Sequence, residues 1–279
     1  MAELAESKKL PRAPLILVLA QIKFPPVLRM DKYVPDIQES LRREGFTDYR
    51  PGQALTIIVG EGRTDRANWW EFGCSDKRSQ IVLSRDSVSL MTTGYSTFED
   101  FLTRLGQMVR PIEGHVGISS AHQLGLRYVD LLAEIDDLKT EDLLAPGFRG
   151  LPAGSIDPDI KETATSFVVQ ARTPHGVLTV RSVQVLGAGN QVIPPDLTPA
   201  PPMPFPLKFP DWVLSARHPR VLDFDHVAAD IENLSFLPEI LAAKFRDLRH
   251  HTRLAFHAVS TDEARAAWGR DEPQKEEKP

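Results

Sequence analysis

The sequence has one cysteine, Cys74. An internal disulfide framework and a cysteine-built metal site are therefore excluded, and a reducing cytosol is the simplest setting. Long apolar runs are also missing: no stretch approaches the roughly 18–20 residues that a membrane-spanning helix needs. The nearest, Leu15 to Ala20, follows Lys8, Lys9 and Arg12 but is closed by Gln21 and Lys23, with Glu3 and Glu6 ahead of it. It reads as a first β-strand behind a flexible leader and not as a secretory signal. A basic excess is absent too. Lys and Arg total 33 against 38 Asp and Glu, a net charge of −5, which favours solubility and does not favour nucleic acid as a partner.

Enzyme signatures are equally sparse. Val59 to Arg63, VGEGR, lacks the dinucleotide-binding spacing, and no phosphate loop ends in Gly-Lys-Ser or Gly-Lys-Thr. Ser119, Ser120 and His122 do not form a nucleophile elbow. His250, His251 and His257 lack the histidine pair four apart, with a glutamate, of a zinc protease. No cofactor or metal is implied.

What is present is the patterning of a folded α+β chain, with 42% apolar residues to build a core. Leu15 to Phe24 reads as a strand, closed by Pro25 and Pro26. Tyr33 to Arg43 has Val34, Ile37 and Leu41 at helical spacing, with Pro35 in the first turn and Gly45 as the stop. A meander follows: Ala54–Val59, Trp69–Phe72, Gln80–Ser84 and Ser87–Thr92. Ser75-Asp76-Lys77 and Arg85-Asp86 read as its turns, so that Ile81, Leu83, Val88 and Leu90 share one face. Thr97 opens a second helix whose stripe is Phe98, Phe101, Leu102, Leu105 and Met108. In the strand His122–Leu132, Leu124, Leu126 and Tyr128 alternate with Gly125, Arg127 and Val129.

The second half opens on a hairpin, Glu162–Ala171 with Gly176–Leu186 around Pro174-His175-Gly176. A bridge with eight prolines between Pro194 and Pro210 cannot be a helix or a central strand; Phe205, Leu207 and Phe209 can tether it to the core. Trp212–Ser215 and Val221–Asp225 read as short strands. Phe236–Phe256 is the strongest helix, with Leu237, Ile240, Leu241, Phe245, Leu248, Thr252 and Phe256 buried and Lys244, Arg246, Arg249 and Arg253 in solvent. Ser260 and Glu263 form a capping box for a last helix ending near Trp268. The organisation expected is a leader over 1–12, an α+β half over 13–138, a connector over 139–160, a second α+β half over 161–268 with a proline-rich loop at 187–210, and a flexible tail over 269–279. The fold class is α+β, with antiparallel sheet covered by helices and two related halves sharing one core.

PLILVLAQIKFP, SQIVLSRDSVSLMTTGY, LGLRYVDLL, RVLDFDH and HHTRLAFHAVSTDEARAAW resemble strings of a sporadically distributed family of bacterial proteins of roughly this length, whose activity is not assigned. The resemblance spans most of residues 12 to 268. GLRYVD is its most distinctive piece. It implies no catalytic set or cofactor, and its sporadic distribution suggests an accessory, defence-associated or toxin-neutralising role.

Six residues are candidates for a site. Arg127, between Leu126 and Tyr128, needs an acidic partner if buried; Asp130, Asp223 and Asp225 are available. It can tie the fold together, bind an anion bidentately or serve catalysis. Asp223 and Asp225 share a strand face, with His226 on the other, and can serve metal or proton chemistry or simply face water. Trp69 and Trp70 point opposite ways, so one is core and the other is either an interface candidate or covered by a helix or loop. Tyr95 is a weaker surface candidate. Two classes of function follow. The preferred one is a non-catalytic protein-binding or accessory protein, cytoplasmic, with a protein partner, and with self-association open through a sheet edge. The alternative is a metal-assisted enzyme on a phosphate-bearing or other anionic substrate, built from Arg127 with Asp223 or Asp225.

Overall fold

A computed structural model of the chain describes residues 10–58, 63–151, 159, 164–185, 207–216, 219–232 and 234–270. The first elements are β1 (Leu15–Lys23), α1 (Met30–Arg43), β2 (Asp48–Ile58), β3 (Arg63–Gly73), β4 (Ser79–Ser84), β5 (Ser87–Thr92) and α2 (Phe98–Val116). Then come β6 (Ser120–Ala121), β7 (Gln123–Leu132), β8 (Ala164–Thr173), β9 (Gly176–Val185) and α3 (Trp212–Ser215). β10 (Arg220–Ala228), β11 (Leu234–Ser235), α4 (Pro238–Val259) and α5 (Asp262–Trp268) complete the chain.

Nine strands form one sheet of order β2-β3-β4-β5-β1-β7-β10-β9-β8, and its pairings are antiparallel. The α+β expectation therefore holds, and the sheet runs unbroken across the 139–160 connector where β7 pairs with β10. The Arg85-Asp86 turn sets Ile81 opposite Leu90 and Leu83 opposite Val88, all four fully buried. Helices α1, α2 and α4 cover one sheet face: Val34, Ile37 and Leu41, then Phe101, Leu105 and Met108, then Leu241, Phe245 and Leu248 pack on Ile22, Leu124 and Leu126. The opposite face carries a smaller cluster in which Leu207 and Val213 sit on Ile16, Leu17, Val129 and Leu131. No helix among the described residues is long and apolar enough to cross a membrane.

Local chemistry accounts for the boundaries. Gly45 takes φ +93°, and the Phe46 N–H reaches back to the Leu41 carbonyl with both side chains buried, closing α1 in a Schellman turn. The helix starts three residues earlier than its apolar spacing suggests, so Pro35 falls in the second turn and not the first. Thr97 caps α2 by accepting from the Asp100 N–H. β2 and β3 run longer than their apolar cores, and β2 includes Pro51 and Gly52. Both residues are tolerated because β2 is an edge strand and the Trp69 ring from β3 lies over Gly52, where an added Cβ would overlap it.

Several expectations need correction. Trp212–Ser215 is a helical turn and not a strand: Pro210 and Asp211 lead into it, and the Val213 N–H bonds the Pro210 carbonyl. The cap of α5 is Thr261, whose hydroxyl accepts from Ala264, while the Ser260 hydroxyl is turned back to the Phe256 carbonyl. Leu237 and Ile240 are exposed, because the buried stripe of α4 runs through Leu241, Phe245, Leu248 and Thr252. Of the proline-rich bridge, 187–206 lies outside the described residues, as do 1–9 of the leader and 271–279 of the tail. Leu207 is buried, and the Thr93 hydroxyl donates to the Lys208 carbonyl, tying the end of the bridge to the sheet.

Candidate functional site

The six candidate residues do not form one site: Arg127, Asp223 and Asp225 gather on one sheet face, and His226, Trp69 and Trp70 lie elsewhere. On the sheet face away from the helices, Asp223 receives Arg127 Nε and Nη2, both at 2.7 Å, and Arg181 Nη1 at 2.8 Å. Arg127 is 5% exposed and Asp223 1%. Asp225 stands 3.8 Å from Arg181. This buried bidentate pair needs both of its members to avoid an unpaired charge. Among the described residues, no group of three His, Cys, Asp or Glu side chains is placed to hold a metal ion.

His226 points to the other face and is fully buried. Its Nδ1–H donates to the Leu248 carbonyl at 2.9 Å, and the Thr173 hydroxyl stands 2.9 Å from Nε2. Burial holds its pKa below the ordinary 6.5, with the His251 and His175 rings adding to the effect. The unfolded chain therefore takes up this proton first as the pH falls. The stabilisation is full above about pH 6.5 and is lost below it. Urea midpoints should drop between neutral and mildly acidic pH, and by less in His226→Gln, which keeps hydrogen-bonding groups but cannot titrate. An equal drop in both proteins would assign the effect to other groups.

Trp70 belongs to the core, 9% exposed, with Phe72 on the same side. Trp69 is half-buried, and its indole N–H donates to the buried Glu71 at 2.5 Å. Gln80 donates to the other carboxylate oxygen. The indole is thus fixed against its own sheet.

The chemistry that these candidates leave out gathers on the helical side. A cavity of about 360 Å³ opens between residues 10–15, β7, β10, α4 and α5. One sequence detail builds its floor. Leu15 pairs with Asp130 and Leu17 with Val129, so Ile16 is an extra residue, a β-bulge. Ile16 and Leu17 both enter the cluster on the far face, and Leu15 is turned into the cavity. Leu10, Pro14, Phe224 and Phe256 extend this apolar wall, with Phe256 packed on Trp268 at 5.7 Å between ring centres.

The polar wall comes from Tyr95, Tyr128, Asp130, Arg249, Arg253 and Arg265. Arg249 and Arg253 are one turn apart on α4 and line the cavity, correcting the expectation that both lie largely in solvent. The Arg249 guanidinium lies 4.5 Å over the Phe98 ring and has no carboxylate partner among the described residues. Burial lowers the Arg253 pKa, and the neighbouring Arg249 charge lowers it further. Arg265 is committed to the fold through the His257 and Ser260 carbonyls and Asp262. Tyr95 meets Tyr128 edge-on, ring centres 6.0 Å apart. Burial pushes both phenols above their ordinary range, Tyr128 farthest, so both remain neutral donors. Among the described residues the Tyr128 hydroxyl is buried with no hydrogen-bond partner within bonding geometry, while Tyr95 and Arg249 lie near enough to influence its ionisation. Asp130 shares this wall because residues three apart on a strand face opposite ways, which places it on the face away from Arg127.

No protein-family model matches the sequence, and no curated protein matches it.

Proposed function

We propose that the protein is a non-catalytic accessory protein that works by binding an anionic group in this cavity. The observation that carries the reading is that, among the described residues, Arg249 is a guanidinium without a carboxylate partner and stands beside a buried phenol whose hydroxyl has no partner within bonding geometry. Buried polar groups are ordinarily paired, so an orphaned donor next to a cation points to a missing acceptor. A concave site with a mostly apolar lining and a few convergent polar groups is the usual form of a ligand pocket. The metal-assisted enzyme is the weaker reading, because Arg127 and Asp223 are spent on each other inside the sheet.

The accessory or toxin-neutralising role suggested by the family resemblance belongs to the same proposal, as does a cytoplasmic setting. So does kinship between two halves. In support of that kinship, a central strand, β1 or β7, is followed by a meander whose last strand, β5 or β10, returns beside it. A helix on the same face, α2 or α4, then follows.

Thermal melting with millimolar benzoate or phosphate tests the anion site. Ligand at about 100 times its Kd adds about 2.7 kcal/mol, so the wild-type midpoint should rise by several degrees. Arg249→Glu should show no rise. Identical shifts in the two proteins, or none in either, would remove the cavity from the function.

A further inference from the structure

The chemistry of the wall narrows the anion. Its donors are few and close together: the Arg249 fork, the Tyr128 hydroxyl, which has no partner within bonding geometry among the described residues, and the Tyr95 hydroxyl beside it. That number suits the two oxygens of one carboxylate, which together accept about four hydrogen bonds. A phosphate brings about one further negative charge and a third oxygen. The cavity itself, about 360 Å³, lies at the small end of ligand pockets, roughly 300–1,000 Å³. Its opposite wall is hydrocarbon and aromatic: Leu10, Pro14, Leu15, Phe224 and Phe256. A bare inorganic anion would leave that wall in contact with water, whereas an apolar body would cover it.

We propose that the cavity binds one carboxylate carried on a bulky apolar body, with the carboxylate among Arg249, Tyr95 and Tyr128 and the body against Leu15, Phe224 and Phe256. This rests on the anion-binding reading above. Two sources have the same chemistry: a small organic acid, and the free C-terminus of a partner chain ending in a large apolar residue.

Calorimetric titration with matched probes tests the proposal. The set is 3-phenylpropionate, 3-phenylpropanol and 2-phenylethyl phosphate, with a short peptide ending in phenylalanine as the free acid and as the amide. The two free acids, or one of them, should bind at least about tenfold more tightly than the alcohol, the phosphate and the amide. The tighter of the two identifies the source. Tyr128→Phe should weaken acid binding about tenfold, because it removes a donor to a charged acceptor. The same change should leave the melting temperature equal to or above wild type, because that hydroxyl has no hydrogen-bond partner within bonding geometry among the described residues. A purely structural tyrosine would not give this opposite movement of stability and affinity. Tighter binding of the phosphate would overturn the carboxylate assignment and leave the anion site standing. Binding of no probe, or acid binding unchanged in both Tyr128→Phe and a folded Arg249→Gln, would overturn both.

Discussion

Asp223→Ala should destabilise the protein by about 3–5 kcal/mol, the cost of removing the carboxylate that holds a buried guanidinium bidentately. Arg127 is 5% exposed and gives two hydrogen bonds to Asp223, each at 2.7 Å, so water cannot readily replace the carboxylate. Arg181 shares the same carboxylate, but its side chain is 32% exposed. Arg181→Ala should therefore cost less, since Asp223 keeps its principal partner. Replacing the pair together, Arg127→Met with Asp223→Leu, should recover a large part of the loss, because the two desolvated charges disappear at once. The double variant should also keep its affinity for acid probes, since the pair lies on the sheet face opposite the cavity. Denaturant midpoints of the four proteins measure the first three expectations. If Asp223→Ala is as stable as wild type, the pair is not a structural tie.

Gly176→Ala should be the most damaging of the glycine substitutions. Gly176 has φ +150°, and a Cβ there would lie 2.2 Å from the Val227 carbonyl oxygen. That oxygen is backbone of β10, where Val227 pairs with Val177 of β9, so neither a rotamer change nor a flexible side chain relieves the overlap. The strained conformation alone costs about 1–3 kcal/mol, and separating β9 from β10 adds to it. The turn it closes also holds Thr173 against His226, so this variant should lose part of the acid sensitivity assigned to that ring. Gly114→Ala is the control. Gly114 sits inside α2 with nothing within 4 Å of an added Cβ, and its replacement should stabilise by about 0.5–1 kcal/mol. Unfolding curves showing equal effects for the two glycines would contradict the close approach at Val227.

Much of the fold was legible because it is written in local chemistry. The two-residue turn at Arg85-Asp86 and the alternation on either side of it specify a register, and α2 carries both its cap and its apolar stripe in one short span. The pairing of Arg127 with Asp223 was partly within reach, because strand parity puts Asp223 and Asp225 on one face; in register Arg127 stands opposite Asp225 and reaches diagonally to Asp223. The cavity was not legible. Arg249 and Arg253 look like solvent-facing charges on an amphipathic helix, and only the tertiary path of α4 over Phe98 turns them inward. Leu15 enters the site through a bulge at Ile16, and an extra residue in one strand leaves no mark on an unbroken apolar run. The available signal was a pair of tyrosines: Tyr128, a polar tip on the strand face shared with Leu124 and Leu126, and Tyr95, set aside as a weak surface candidate. Trp212–Ser215 failed for the converse reason. Four apolar or small residues fit a strand or a helical turn equally well, and the preceding proline decides between them.

The central claim is that Arg249, Tyr95 and Tyr128 together seat a carboxylate. A crystal structure of the full chain soaked with 3-phenylpropionate tests it most directly. The carboxylate should lie within hydrogen-bonding distance, roughly 2.5–3.2 Å, of the Tyr128 hydroxyl and of an Arg249 nitrogen, with the phenyl ring against Leu15 and Phe256. A probe bound beside Arg127 and Asp223, or in the cavity with its carboxylate turned away from both groups, would contradict the account.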